Sequence, residues 1–133
     1  MATWEDVRRL ALALPETAEA SSHNRPSWQV RNKTFVWQRP LRKGDLQALG
    51  PAAPDGPILG ARVEHLMAKE ALLAEDSGHF LTTPHFDGYP AILVELDKIG
   101  EDDLEEVIVE AWLARAPKRL VKDYLTRREV TDG

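Results

Sequence analysis

The 133-residue sequence contains no cysteine. Disulfide bonds, thiolate catalysis and cysteine-ligated zinc or iron–sulfur sites are therefore excluded for this chain. Long apolar runs are also missing, since no segment approaches the roughly 18 consecutive apolar residues that cross a bilayer. The first residues carry no basic segment followed by an apolar stretch, so no secretory signal is expected. We therefore expect a cytoplasmic protein with no membrane partner.

Recognisable catalytic motifs are absent as well. The sequence has no glycine-rich phosphate loop, no nucleophile elbow and no His-Glu-x-x-His pattern. His79, His85 and Asp87 form its one concentration of possible metal ligands or acid–base groups, but their spacing matches no ligand pattern. Asp87 and Gly88 instead predict a turn. We expect no catalytic residue, no metal site and no cofactor.

What the sequence does contain is the material for one globular domain spanning residues 1–133. Hydrophobic residues make up 43% and charged residues 29% of the chain, and a domain of this size buries about two-thirds of its unfolded surface. The net charge of −5 counts against a generic polyanion binder, which is usually basic.

Periodic patterns predict the main elements. Thr3 followed by Asp6 predicts a capping box, and the apolar residues of 4–14 recur at helical spacing until Pro15. Further helices are predicted over 64–75 and 101–116, with a short one over 118–125. Strands are predicted over 58–63, 80–83 and 91–96. The segment 40–57 is rich in Gly and Pro and predicts a loop with a short strand at 45–49.

Residues 27–38 predict a β-hairpin. With Asn32 and Lys33 as a two-residue loop, Val30 would lie opposite Phe35, and Trp28 opposite Trp37, all on one face. Such a pair of tryptophans more often packs in a core than stacks on bases. Together with the helices and strands above, the hairpin predicts an α+β, two-layer sandwich in which an antiparallel sheet packs on helices.

Seven short stretches resemble the MmcQ/YjbR family of small bacterial proteins. They are TWEDVR at 3–8, LPE at 14–16, RPSWQVR with KTF at 25–35, EALLA at 70–74, TPHFDGYP at 83–90, AW at 111–112 and APKRLV at 116–121. The resemblance covers nearly the whole chain. It implies a frataxin-like (CyaY-like) fold and a DNA-binding role through a double wing of hairpins. The family usually has Gly where this chain has Asn32, and Asn tolerates the same left-handed backbone.

The charges are unevenly distributed along the chain. Residues 20–44 hold six basic residues and no acid, residues 115–128 hold six basic residues and one acid, and residues 95–110 hold eight acids and one lysine. A hairpin with basic residues on its polar face can contact phosphates. The candidate nucleic-acid contacts are Arg25, Arg31, Lys33, Arg39, Arg42, Lys43, Lys118, Arg119 and Lys122. Equally, such residues are common on solvated surfaces and at helix C-termini.

Three functions remain open at this level. The first is a small, non-enzymatic nucleic-acid-binding or regulatory accessory protein that makes weak, electrostatic contacts with DNA. The second is a small-molecule-binding or resistance-type protein with a pocket at His85, Phe86 and Tyr89. The third is a protein–protein adaptor that uses the acidic surface of the 101–116 helix.

Overall fold

The computed structural model describes residues 2–22, 24–75 and 78–132. The side chains of residue 22 and of residues 128–132 lie outside this description, and with them the basic group of Arg128. The helices are α1 (Trp4–Leu12), α2 (Lys43–Leu49), α3 (Leu66–Ala74), α4 (Glu101–Arg115) and α5 (Lys118–Asp132). The strands are β1 (Thr17–Ser22), β2 (Arg25–Val30), β3 (Lys33–Gln38), β4 (Ile58–Arg62), β5 (Phe80–Leu81) and β6 (Ala91–Glu95).

The six strands form one sheet in the order β1-β2-β3-β4-β6-β5, and every neighbouring pair is antiparallel. Helix α4 packs across β3 and β4 on one face, and α1 packs beside α4. Trp28 and Trp112 are fully buried between these layers. The predicted α+β sandwich is confirmed. Among the described residues, no helix combines the length and apolar character that crossing a membrane requires.

Helix α1 begins as its sequence predicts. Thr3 Oγ1 accepts a hydrogen bond from the Asp6 N–H at 3.2 Å, while the Asp6 carboxylate accepts one from the Thr3 N–H at 3.0 Å. This reciprocal capping box satisfies two of the N–H groups that a helix start leaves unpaired. The Thr3 N–H is also the main cause that lowers the pKa of Asp6.

The β2–β3 hairpin differs from its predicted register. Its turn residues are Arg31 and Asn32, with φ of 49° and 68°, and Lys33 pairs with Val30 as the first residue of β3. A bulge then shifts the register, so that Trp28 pairs with Val36. Because side chains alternate along a strand, this shift sends Trp37 to the face opposite Trp28.

The bulge also explains an irregular core pattern. Phe35 and Val36 are consecutive in β3, yet both are fully buried in the same cluster beneath α4. A regular strand would send one of them to the other face. The extra residue at the bulge therefore gives the core two large side chains from adjacent positions.

Three further expectations from the sequence were wrong or incomplete. Residues 45–49 belong to helix α2 rather than to a short strand. Strand β1 was not predicted at all, because TAEASS lacks an apolar alternation. Helix α5 continues well beyond residue 125, to Asp132.

Candidate functional site

The face of the sheet opposite α4 carries an open groove of about 980 Å³. Strands β2 and β3 form its floor, and the 84–90 segment forms one wall. That segment also covers part of this face through a second apolar cluster of Ile58, Phe86, Ala91 and Leu93. The polar groove therefore lies where the apolar covering of the sheet ends.

The groove is strongly basic. Its lining includes six basic side chains and one acidic side chain, Asp87. The basic residues are Arg25, Lys33, Arg39, Arg42, Arg62 and Arg115. Arg25, Lys33 and Arg42 are exposed, and no ion pair among the described residues engages them. A chain whose net charge is −5 thus concentrates positive charge on one concave surface.

Two of the predicted nucleic-acid contacts instead form ion pairs with carboxylates of the same chain. Arg39 is only 5% exposed and lies 3.0 Å from the Asp45 carboxylate. Burial raises the pKa of Asp45, but the Arg42 N–H and the Arg39 guanidinium together hold that pKa below its usual value. Arg39 therefore anchors α2 to the sheet and offers little surface to a ligand.

Arg31 is the second of these residues. Its guanidinium donates hydrogen bonds to both carboxylate oxygens of Glu16, at 2.6 and 3.0 Å. This bidentate pair lowers the pKa of Glu16 and ties the hairpin turn to the segment after α1. Binding a phosphate through Arg31 would require breaking this pair.

His85, Phe86 and Tyr89 line the same groove as the basic residues. Phe86 is buried against the Trp37 ring, with 6.5 Å between ring centroids. Tyr89 is 43% exposed, and the Arg62 guanidinium lies 4.8 Å from its ring centroid. The residues predicted for a small-molecule pocket therefore line the same groove as part of the predicted nucleic-acid contacts, with aromatic and cationic groups side by side.

A buried lysine holds the aromatic wall in place. Lys69 of α3 is 5% exposed, and its Nζ donates hydrogen bonds to the carbonyl oxygens of Phe86 and Tyr89, at 2.6 and 3.0 Å. Burial lowers the pKa of Lys69, and the nearby Asp87 carboxylate partly offsets this effect. Gly88, with φ of 73°, completes the predicted turn.

The remaining candidate contacts lie elsewhere. Lys118, Arg119 and Lys122 are exposed on α5 and do not line the groove, and Lys43 is exposed at the start of α2. Of the basic stretch 115–128, Arg115 lines the groove, whereas Lys118, Arg119 and Lys122 lie outside it.

Arg62 and Arg115 are the basic residues of the groove lining that were not among the predicted contacts. The sequence of β4 contains a signal for Arg62. Side chains alternate between the two faces of a strand, so Arg62 lies on the same face as Gly60. Arg115 ends an otherwise acidic helix on the opposite face, and only the path of α4 brings it to the groove. The Nε atoms of both arginines are buried without a hydrogen-bond partner among the described residues.

His79, His85 and Asp87 do not converge on one site. His79 lines a different cavity from His85 and Asp87, and within residues 2–22, 24–75 and 78–132 no group of three His, Asp or Glu side chains could hold an ion. His65 has a structural role, because its Nδ1 accepts a hydrogen bond from the Ala68 N–H at the start of α3.

Comparisons with known proteins agree with this architecture. The crystal structure of a Deinococcus radiodurans protein with a DUF419 domain matches with a TM-score of 0.63 and 17% identity, covering 85% of this chain and 78% of that one. At this identity the match concerns the fold alone. Proteins of Mycobacterium bovis and Mycobacterium tuberculosis, both named as uncharacterised, are 52% identical over 128 residues, which is 94% of this chain and 97% of theirs. A model of the YjbR family matches residues 12–114. The chain belongs to the YjbR family.

Proposed function

We propose that this protein is a non-enzymatic nucleic-acid-binding protein and that the basic groove on the open face of its sheet is the contact surface. The observation that carries the proposal is the excess of basic over acidic side chains in a single groove, with five basic side chains besides the buried Arg39 and one acidic side chain. Lysine and arginine side chains contact phosphate oxygens without reading the base sequence. We therefore expect electrostatic binding with little sequence preference.

The aromatic groups of the groove support the same function. Tyr89 is exposed, and Trp37 is half-buried on the groove floor. In proteins that bind single strands, a positively charged groove follows the backbone while aromatic side chains stack on bases. The arrangement is thus suited to a flexible strand as well as to duplex phosphates.

Fluorescence anisotropy with labelled single-stranded and duplex DNA, from low to physiological salt, tests this function. Arg25, Lys33, Arg42, Arg62 and Arg115 provide five cations, so the log–log salt slope should be about −3.5 for single strands and about −4.5 for duplex. The triple substitution R25Q/K33Q/R42Q should weaken binding strongly and bring the slope closer to zero by about 0.7 to 0.9 for each residue.

The chain provides a matched control for this variant. The triple substitution K118Q/R119Q/K122Q removes the same charge from exposed positions outside the groove. It should leave most of the binding intact. Equal losses in the two triple variants would indicate a diffuse charge effect rather than a groove, and no binding at low salt would refute the function.

A small anionic ligand is the second candidate, and the concave shape of the groove favours it. A volume of about 980 Å³ is at the upper end of the range for small-molecule sites. A thermal-shift screen of aromatic phosphates and carboxylates would detect it. Stabilisation by such a compound that R25Q/K33Q/R42Q abolishes, without DNA binding by the parent protein, would favour this candidate.

A further inference from the structure

A second cavity, of about 190 Å³, lies on the helix-covered side of the sheet beside α3, α4 and β5. Its inner lining is apolar and consists of Val63, Leu72, Phe80, Ile92 and Val107. A cavity of about 150 Å³ lined by apolar side chains is large enough to bind benzene. This cavity therefore has room for one compact apolar group.

The rim of this cavity is acidic. Four exposed carboxylates line it, those of Glu75, Asp103, Glu106 and Glu110. The last three occupy positions three and four residues apart on α4, which places them on one helix face. Arg62 is the one basic residue in the lining, and its guanidinium already donates to the Tyr89 hydroxyl at 2.5 Å.

A buried imidazole adds a polar group to the lining. His79 is 7% exposed and lines the cavity. Its ring contacts the edge of the Phe80 ring, with 4.4 Å between centroids, and no hydrogen bond from another described residue engages it. The imidazole therefore adds one polar side chain to the otherwise apolar interior of the cavity.

We propose that this cavity binds a small primary amine that carries a compact apolar group. The apolar group fills the space lined by Leu72, Phe80 and Ile92, and the ammonium group lies among the rim carboxylates. A neutral compound of the same shape loses the charge interaction, and an anion is repelled. The site is thus opposite in charge preference to the basic groove and lies on the other face of the sheet.

NMR titration of the isotope-labelled protein with phenethylamine, and separately with 2-phenylethanol, tests the proposal. Phenethylamine should produce saturable shifts of the Leu72, Ile92 and Val107 methyl signals. The neutral alcohol should bind roughly tenfold more weakly, since it cannot form ion pairs with the rim carboxylates. The double substitution E106Q/E110Q should weaken the binding of phenethylamine to a similar extent.

Glu105 supplies the control, because it is exposed on the same helix but does not line the cavity. E105Q should leave phenethylamine affinity unchanged. The proposal is overturned if phenethylamine causes no saturable shift of these signals, if the alcohol binds as tightly as the amine, or if E106Q/E110Q and E105Q have the same effect. All three substituted residues are solvent-exposed, and circular dichroism will verify that the variants fold.

Discussion

At the scale of single residues, the contact between Trp37 and Gly60 shapes the groove floor. The two residues pair across β3 and β4, and the indole lies directly over the glycine. A Cβ atom at position 60 would lie 2.4 Å from Trp37 Cε2, a distance that no side chain tolerates. Gly60 therefore allows a large aromatic ring to lie close to the sheet.

Substitution of Gly60 by alanine should destabilise the protein. The added methyl group must displace the indole, and overpacking of this kind costs about 1 to 3 kcal/mol. Urea denaturation measures the change in the free energy of unfolding.

Gly44→Ala is the control, because a Cβ atom at this position of α2 would meet no other part of the chain within 4 Å. Alanine there should stabilise the protein by about 0.4 to 1 kcal/mol, because it reduces the conformational entropy of the unfolded chain. Equal effects at the two positions would contradict this explanation.

The buried pair of Arg39 and Asp45 leads to a second prediction. Asp45→Asn leaves the Arg39 charge buried without its counter-ion, which should cost about 3 to 5 kcal/mol at neutral pH. The folded pKa of Asp45 lies below its ordinary value. The ionised Asp45 carboxylate therefore stabilises the folded state above the unfolded pKa of about 3.9, and this stabilisation is lost as pH falls through the folded pKa.

Denaturant titrations from pH 7 down to acid check this prediction. The difference in unfolding free energy between the parent protein and D45N should shrink only in the acid range. A difference that stays constant to the lowest pH at which the parent protein folds would show that the carboxylate charge is not responsible.

At the scale of elements, the tip of the β2–β3 hairpin rests on two residues with left-handed backbone. Arg31 and Asn32 both have positive φ, as the type I′ turn of a two-residue hairpin requires. Asn32 suits this conformation. Arg31 does not suit it, so its backbone is strained. The same residue forms the bidentate ion pair with Glu16.

The turn yields a third prediction. Asn32→Ala should destabilise the protein by about 1 to 2 kcal/mol because alanine is disfavoured in the left-handed region, whereas Asn32→Gly should be neutral or stabilising. Thermal or urea unfolding of both variants distinguishes the backbone effect from loss of the amide side chain. If the glycine variant is destabilised as much as the alanine variant, the side chain is the cause.

Elements with a strong internal pattern were predicted well, while those defined by partners were not. The capping box of Thr3 and the apolar stripe of α4 depend only on neighbours in sequence. By contrast, the sequence of α2 predicts a loop with a short strand. The start of this helix depends on Asp45, which pairs with Arg39 in the preceding segment, and local sequence patterns do not show that pairing. Strand β1 is polar, and β2 is the partner that makes it a strand.

At the scale of the whole molecule, charge is sorted onto two sides of the sheet. The basic groove lies on the open face, and the carboxylates of α4 line a cavity on the helix-covered side. The net charge of −5 therefore describes neither surface. Long-range repulsion by the acidic side weakens as salt increases, since the Debye length is about 8 Å at physiological ionic strength.

A fourth prediction follows from this separation. E106Q/E110Q changes the net charge from −5 to −3, because two of the acids counted in the total are neutralised. At low salt it should modestly increase DNA affinity, and at physiological salt the increase should vanish. Anisotropy titrations at both salt concentrations measure the effect. A loss of DNA affinity in this variant would place the α4 carboxylates in the DNA contact surface.

The sequence by itself determined the family, the α+β class, the main helices and the strands β4 and β6, because short-range patterns and contiguous motifs encode them. It also identified Arg25, Lys33, Arg42, His85 and Tyr89 as functional candidates. Only the tertiary structure decided that these residues share one groove, and that Arg39, although it lines the groove, is buried in an ion pair with Asp45. The physical reason is that a one-residue bulge in β3 and the pairing of strands distant in sequence determine which side chains share a face, and local patterns do not encode either.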